Sequence, residues 1–575
     1  MVRSERPRTR TGAVPAAASE GTKRFRAALA DRQTDPRGRR WVFVPEDQLS
    51  ESIGPLSRED PREVGIVVVE SLARAKRRPY HRQKLAFAIA NLRHFALEQA
   101  ARGVAVRHEV TEGSCADALR PLASELGRLR MMEPAERELR VELAPLERCG
   151  ALERVTHEGW LTTREEFGAV FSGGRGFRMD AFYRAVRARS GILMKDGRPV
   201  GGKWSFDAEN RRPWKGEPRA PTPPVFGSDP VKEEVGDLVE ERFADHPGRL
   251  ALDTLPASAA DAEALWSWAK RECLPHFGPY EDAMSTRSRG LFHTRISALL
   301  NVHRLLPARV VADVEGLDAP LASREGFIRQ VLGWREFVRH VHTATDGFRA
   351  LPDGARPPRA KRPGDAGYSR WLGKRFGAVA PPPGIDGGAT PDLLEARLPL
   401  PAAFWGASSG LACLDRVVED VLDEGFSHHI TRLMVLSNLA TLMGVSPREL
   451  TDWFWVAYVD AYDWVVEPNV LGMGTFALGT LFTTKPYVSG AAYLDRMSDY
   501  CSGCAFRPDR DCPVTSWYWD FLARHRERLE GNPRLAMPLR ALAKRSEARR
   551  QADHERAARA RRAIASGERL LPDGP

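Results

Sequence analysis

The chain has 575 residues, 42% hydrophobic and 28% charged, with a net charge of +10. That length exceeds one ordinary core and calls for two domains or more, while the composition is globular, which argues against a fibrous or wholly disordered chain. No run of about 18 uncharged apolar residues occurs, so no membrane helix is expected. The Arg-rich start has no apolar export segment, so a cytoplasmic protein is expected, and the surplus of Lys and Arg favours a polyanion such as nucleic acid as partner.

Residues 1–39 carry Arg, Pro, Thr and Ala without periodicity and read as a disordered basic arm. Residues 40–170 then read as an α/β domain. Trp41-Val42-Phe43-Val44 and the β-branched run from Val64 to Val69 predict buried parallel strands. Leu85, Ile89, Leu92 and Ala96 recur at helical spacing and predict a crossover helix. Val104-Ala105-Val106 and Leu139-Arg140-Val141 predict two further strands. Such an order places ligands at the carboxyl ends of the strands. Residues 171–235 are punctuated by Gly-Gly and Pro-Thr-Pro-Pro and read as a long linker. Residues 236–540 read as helices, with a Pro-, Gly- and Arg-rich surface insertion at 350–395. Ser446-Pro447-Arg448-Glu449 opens one helix with capping-box residues and proline at the first helical position. The apolar positions between Ile430 and Leu442 cover most of another, which should be buried. The tail 541–575 reads as a solvated basic helix or disorder.

Seven cysteines are present. Cys115, Cys149 and Cys273 stand alone and are expected to be buried or inert. Cys501 and Cys504 form a CxxC pair, Cys512 precedes a proline, and Cys413 lies far upstream. Four such thiolates suit a metal. Zinc ribbons use two CxxC knuckles, and this asymmetric spacing favours iron–sulfur ligation instead.

The pair His428-His429 follows Cys413. A buried histidine is most often a satisfied core group, but one titrating near neutrality is also the natural proton donor. Trp453, Trp455, Tyr458, Tyr462 and Trp464 crowd one segment, and Trp405 precedes Cys413. Such aromatics are either core or electron carriers. His293-Thr294-Arg295-Ile296-Ser297 places hydroxyls and a guanidinium at an expected helix start, a pattern that can hold phosphate. Gly333-Trp334-Arg335-Glu336-Phe337 reads as a half-buried helix face.

Together these stretches resemble the iron–sulfur bacterial cryptochromes and photolyases, the prokaryotic (6-4) photolyase branch. The resemblance spans about residues 40 to 540 and rests on Gly201–Arg211, Gly326–Phe337, His428–Met434, Asp460–Asn469 and Lys485–Asp520, with Asp47-Gln48-Leu49 after the first strand. It implies a Rossmann-like α/β antenna domain, a long linker and an all-α domain holding FAD. It also implies a 4Fe–4S cluster and, in many members, a 6,7-dimethyl-8-ribityllumazine antenna. By this resemblance Cys413, Cys501, Cys504 and Cys512 are the cluster ligands, and His428 and His429 are the catalytic pair. Trp405 and Trp453 carry electrons, and Tyr487 and Tyr493 face the lesion. Thr294, Ser297, Trp334, Arg335, Asp460 and Asn469 bind the flavin, while Asp47 and Gln48 lie near the antenna. The implied function is light-driven repair of UV-damaged DNA by a monomer. The rivals are a cryptochrome-like light sensor without repair and a zinc-stabilised nucleic-acid-binding protein without flavin. The chain departs from the family pattern at Glu46, Ala412, Phe454, Val466 and Ala477-Leu478-Gly479-Thr480.

Overall fold

The computed structural model describes residues 21–172, 176–365, 367–372 and 381–572. The apolar runs near the start pair as expected. β1 (Arg40–Phe43), β2 (Val64–Ser71), β3 (Ala105–Thr111), β4 (Leu129–Met132) and β5 (Leu152–Val155) form one sheet in the order β3-β2-β1-β4-β5. Every pairing is parallel, with Val42 opposite Ile66 on one side and Arg130 on the other. Side chains alternate across a strand, so Val42 and Val44 enter the large core that runs on into the helical region. Trp41 and Phe43 face a smaller core with Leu119, Leu139 and Leu143. Both faces are therefore covered, as a parallel sheet requires.

Several sequence expectations change. Leu139-Arg140-Val141 lies in the helix Arg137–Arg148, and the missed strands are β4 and β5. Two apolar residues around an arginine do not separate strand from helix; Leu139, Leu143 and Leu146 are buried at helical spacing. Residues 1–20 of the expected arm lie outside the described residues, and the rest is not disordered: the helix Lys23–Ala30 buries Phe25 and Leu29. The Glu234 carboxylate accepts the N–H groups of Arg24 at 2.7 Å and Phe25 at 3.0 Å. The span 171–235 is not all connection. It holds the helix Met179–Ser190 and the start of Pro230–Arg242, which packs on the crossover helix Arg82–Ala101.

The tail is also built in. The helix Glu547–Ala565 lies along Pro513–Arg524 and buries Ala557, Ala560 and Ile564. The Trp517 indole donates to the Ala557 carbonyl at 3.1 Å, and the Leu570 N–H donates to Ser409 at 2.9 Å. Likewise the insertion 350–395 is more than surface, because Tyr368 is buried and donates its hydroxyl to the Asp452 carbonyl at 3.2 Å.

The helical region carries π-helical turns at Arg329–Arg335, Arg432–Ser437 and Glu467–Gly474. Such turns cost regular hydrogen bonding and are frequent at functional sites. The Ser446 hydroxyl accepts the Glu449 N–H as expected, but the Glu449 carboxylate turns to the Leu400 N–H instead of closing the box. Among the described residues no helix is long and apolar enough to cross a membrane.

Candidate functional site

His428 ends a loop in extended backbone and His429 starts the helical run 429–443. Their rings meet a third. His293 stacks on His428 with ring centres 4.4 Å apart and planes 3° apart, and meets His429 at 5.1 Å and 72°. All three are held below the usual imidazole range, first by burial and, for His293 and His428, next by the charge of a neighbouring imidazole. Nδ1 of His428 and Nε2 of His293 are buried without a hydrogen-bond partner. His429 feels Glu281, whose carboxylate accepts from Asn210 Nδ2 and Gln330 Nε2, each at 2.6 Å. Asp282 next to it is pushed up to about 7 by burial and then by Glu281 and Asp207. Arg211, which pairs with Asp207, influences Asp282, Tyr487 and Tyr493 alike. Sequence segments around 207–211, 281–282, 429, 487 and 493 thus share one neighbourhood. Both tyrosines are half-buried there, beside Arg496 and Arg534.

A second network stands on the same helix. Arg432 grips Asp460 with two hydrogen bonds of 3.0 Å. Ser297 donates its hydroxyl to the same carboxylate at 2.6 Å, and Asn301 Nδ2 donates to the Asp460 carbonyl at 2.9 Å. Burial alone would raise the Asp460 carboxyl, but the Arg432 charge outweighs it and keeps Asp460 ionised. Arg335 joins through the Leu300 carbonyl at 3.0 Å and lies over the Trp160 ring at 4.1 Å. Burial pulls its guanidinium down to about 10. Ser297, Asp460 and Arg335 are therefore brought together. Thr294 is buried beside Arg295, which takes a left-handed φ of 58°. Trp334 is half-buried against Phe337, and Asn469 folds back on the Val465 carbonyl at 2.8 Å, so neither joins this network.

Trp453 is buried and packs edge-on against Phe404 at 5.4 Å, next in sequence to half-buried Trp405. The four candidate cysteines come together from three elements. Cys413 is in the first turn of Ala412–Glu424, Cys501 lies within the 3₁₀ turn Tyr500–Gly503 and Cys504 ends it, and Cys512 caps Pro513–Arg524. Burial raises the Cys413 thiol, and the charges of Cys512, Cys501 and Cys504 raise it further, so the four lie within electrostatic reach. Helix N-termini at Cys413 and Cys512 favour thiolates. Among the described residues, no group of three or more His, Cys, Asp or Glu side chains, these cysteines included, is arranged to hold a metal ion. Of the lone cysteines, Cys115 and Cys273 are buried and Cys149 is exposed.

At the sheet, Asp47 and Gln48 follow β1, and the Gln48 amide donates to the Met132 carbonyl at the end of β4 at 2.8 Å. That is where the strand order reverses, the usual ligand crevice of such sheets. Asp47 accepts the Ala135 N–H at 2.8 Å and is pushed up to about 6 by burial, with its other oxygen unpartnered. Lys84, drawn down to about 7 by burial, and Arg74, paired with Glu136, complete the charge cluster.

Sequence reading passed over His293 as a ring partner, and Arg432, Glu281 and Asp282 altogether. Arg432 carried a signal, three residues after His429 on one helix face. Glu281 and Asp282 carried none, because their partners are remote in the chain.

A family profile described as deoxyribodipyrimidine photo-lyase-related protein matches residues 42–254. A (6-4) photolyase of Agrobacterium fabrum is 34% identical over 526 residues, covering 88% of this chain and 96% of that protein. An uncharacterized protein of Acanthamoeba polyphaga mimivirus is 39% identical over 66 residues, 12% of this chain and 54% of that protein. Among solved structures, a bacterial class III photolyase from Agrobacterium tumefaciens superposes with a TM-score of 0.49 at 16% identity, covering 92% of this chain and 98% of that one. A cryptochrome of Synechocystis gives 0.49 at 15%, covering 92% and 99%. With 34% identity maintained over nearly the whole length of a photolyase, the chain belongs to the photolyase and cryptochrome family.

Proposed function

We propose that this protein is a light-driven DNA-repair flavoprotein, a photolyase that reverses (6-4) pyrimidine photoproducts. The observation that carries the reading is the cluster of three histidines, with His293 and His428 buried and each left with an unpartnered ring nitrogen and His429 half-buried, in the neighbourhood of Tyr487, Tyr493 and Arg211. Relatedness to a named (6-4) photolyase over almost its full length supports it.

FAD is the cofactor of this reading, and it supplies a light-driven electron when bound and reduced. The residues suit it. Arg432, Asp460 and Ser297 form an ionised, hydrogen-bonding group, and the unpartnered nitrogens of His293 and His428 await an acceptor or donor. Thr294, Ser297, Trp334, Arg335, Asp460 and Asn469 would hold the flavin. Trp453 and Trp405 would keep it reduced. His428 and His429 handle the proton. A histidine held below its usual pKa is a strong acid once charged, so it gives its proton readily to a lesion oxygen. Asp282, near neutrality and within electrostatic reach of Glu281, would return one. A lesion already unstacked costs less to extrude than an intact base, which gives selectivity. Arg211, Arg496 and Arg534 meet the DNA phosphates, so binding weakens as salt rises.

Four thiols within electrostatic reach of one another suit a 4Fe–4S cluster held by Cys413, Cys501, Cys504 and Cys512. Asp47 and Gln48, at the sheet's reversal point, suit a ribityllumazine antenna. On this reading 40–170 is the antenna domain and 236–540 the flavin domain of a cytoplasmic monomer.

The test is illumination of the purified protein with oligonucleotides carrying either a (6-4) photoproduct or a cyclobutane dimer. Restored thymines from the (6-4) substrate, lost in His429→Ala, are expected. Flavin photoreduction with neither lesion repaired would replace repair by light sensing. Iron and sulfide analysis decides the thiol site, with zinc as the result that overturns it.

A further inference from the structure

Several buried arginines are answered by close carboxylates. Arg93 pairs with Glu70 at 2.7 Å, Arg349 with Asp386 at 2.6 Å and Arg448 with Glu467 at 2.9 Å. Two guanidiniums beyond the carboxyl ends of β4 and β5 are not. Arg140, on the helix after β4, donates to the carbonyls of Pro134 at 2.9 Å and Ala135 at 2.5 Å and forms no ion pair among the described residues. Arg339, on the helix Glu336–Ala344, donates to the Thr162 carbonyl and meets Nε2 of His340, each at 2.9 Å. The carboxylate it faces, Glu336, lies 4.0 Å away. One Glu336 oxygen is already taken by the Leu161 and Thr162 N–H groups and the Thr162 hydroxyl, and the other faces Arg335. Glu133, also nearby, is taken by Arg154 and Arg164. Burial draws both guanidiniums down, and Arg339 feels Arg164 and Arg140 as like charges. His157 adds an unanswered donor. Its Nδ1 accepts the Gly159 N–H at 3.0 Å, so the neutral ring carries its proton on Nε2, which is buried without an acceptor. Nε of Arg339 is likewise buried without one. Between the two stands Trp160, its ring 5.8 Å from the His157 ring and 4.4 Å from the Arg339 guanidinium. Buried charges are normally paired, and buried donors without acceptors call for an explanation.

We propose that Arg339, with His157 and Arg140 beside it, forms a binding site for a phosphate-bearing anion at the seam between the sheet region and the helical region. An oxyanion supplies what the neighbouring side chains do not: acceptors for Nε of Arg339 and Nε2–H of His157, and negative charge for two guanidiniums. The planar fork of an arginine matches two oxygens of a phosphate. The place also fits, because ligands of such sheets sit outside the carboxyl ends of the strands. Arg140 and His157 belong to the sheet region and Arg339 to the helical one, so a bound anion ties the two together. The site stands apart from the Arg432–Asp460–Ser297 network, which has its own negative charge. Free phosphate and the phosphate of a nucleotide present the same oxygens, and the experiment separates them. The inference does not depend on the repair reading above.

The experiment uses the full chain as purified, with FAD added to saturation. It is titrated with sodium phosphate, adenosine 5′-monophosphate and adenosine at constant ionic strength, read by calorimetry and by melting temperature. Saturable phosphate binding with a rise in melting temperature is expected, and adenosine should do nothing. Tighter binding of the monophosphate than of phosphate assigns the site to nucleotides; equal binding assigns it to free phosphate. Arg339→Gln and Arg140→Gln should each weaken binding about tenfold or more, as for a lost hydrogen bond to a charged group, and His157→Phe should weaken it several-fold. Arg198→Gln, on the short hairpin of residues 194–199, should leave it unchanged. In phosphate-free buffer Arg140→Gln should melt no lower than the wild type, because a charge without a partner has been removed. If Arg339→Gln fails to fold, Arg339→Lys, which keeps the charge and loses the fork, should show the weakened binding instead. Binding unchanged in both the Arg140 and Arg339 variants overturns the site, and so does chloride raising the melting temperature as much as phosphate. Binding seen only in flavin-free protein also overturns it, because the anion then stands in for the flavin's own phosphate.

Discussion

The thiol site and the histidine site are built in opposite ways. The thiols arrive from a helix start, a 3₁₀ turn and a helix cap, and two of them are only part-buried. Their own segments hold them in part: the Cys504 N–H donates to the Cys501 carbonyl at 3.2 Å, the Cys512 N–H to the Arg507 carbonyl at 3.0 Å, and the Cys413 helix packs on the Cys501 turn. Further support comes from outside, from the helix Glu547–Ala565 on the Cys512 helix and from Leu570 on the loop before Cys413. The histidines sit against a packed interior, with Nε2 of His293 and Nδ1 of His428 left unpaired. On the reading proposed above, the difference would divide the labour: a metal at the first site would add its binding energy to folding, and the second would be held ready by packing around it.

The most severe test of that contrast is Cys512→Ser. A metal bound only by the folded state adds its binding energy to folding, so this variant should lose iron and unfold or aggregate, measured by metal content and thermal melting. Full iron with an unchanged melt would remove Cys512 from the ligands. His429→Ala should do the reverse. Repair should fall about a hundredfold or more, as for a lost acid catalyst, while the melting temperature stays near wild type. A collapse of stability would erase the distinction between the sites. Ile564→Ala, far from any thiol in sequence, should cost about 2–5 kcal/mol, read by denaturant unfolding with iron release at the same midpoint. Release at a separate midpoint would show that the tail does not support the thiols.

Asp282→Asn sharpens the comparison by pH. Asp282 is raised to about 7, so it holds its proton below that pH and loses it above. Repair by the wild type should decline as pH rises through 7, and the variant should flatten that limb; an identical profile removes Asp282 from the proton path. Ser297→Ala should be the mildest, about 1 kcal/mol for one hydrogen bond, with a weaker hold on flavin in equilibrium dialysis.

The sheet was legible where its residues announce it. Val64 to Val69 form a run that only a doubly covered strand accommodates, and the crossover helix showed its period through Leu85, Ile89 and Leu92. Leu129–Met132 and Leu152–Val155 were not, since each four-residue strand contains an arginine and lacks a β-branched run. The resemblance singled out His428, His429, Asp460 and the four cysteines, because most of them stand in stretches that match the family. It did not single out Glu281 or Asp282, whose surroundings are built from partners remote in the chain. The tail misled for a related reason. Its arginines look solvated in sequence, yet Arg561 and His554 pair with buried Asp520, at 2.5 and 2.8 Å, while Ala557, Ala560 and Ile564 pack beneath.

The helix Glu547–Ala565 is translated after all four cysteines. While a ribosome is still adding it, the Cys512 helix and the Ser409 loop lack their covering layer. On the iron–sulfur reading proposed above, the thiols would be open to a cluster during synthesis, before that helix covers the Cys512 helix. Expression hosts that outpace their cofactor supply would seal the chain empty, so slower synthesis at low temperature should raise the fraction recovered in loaded form.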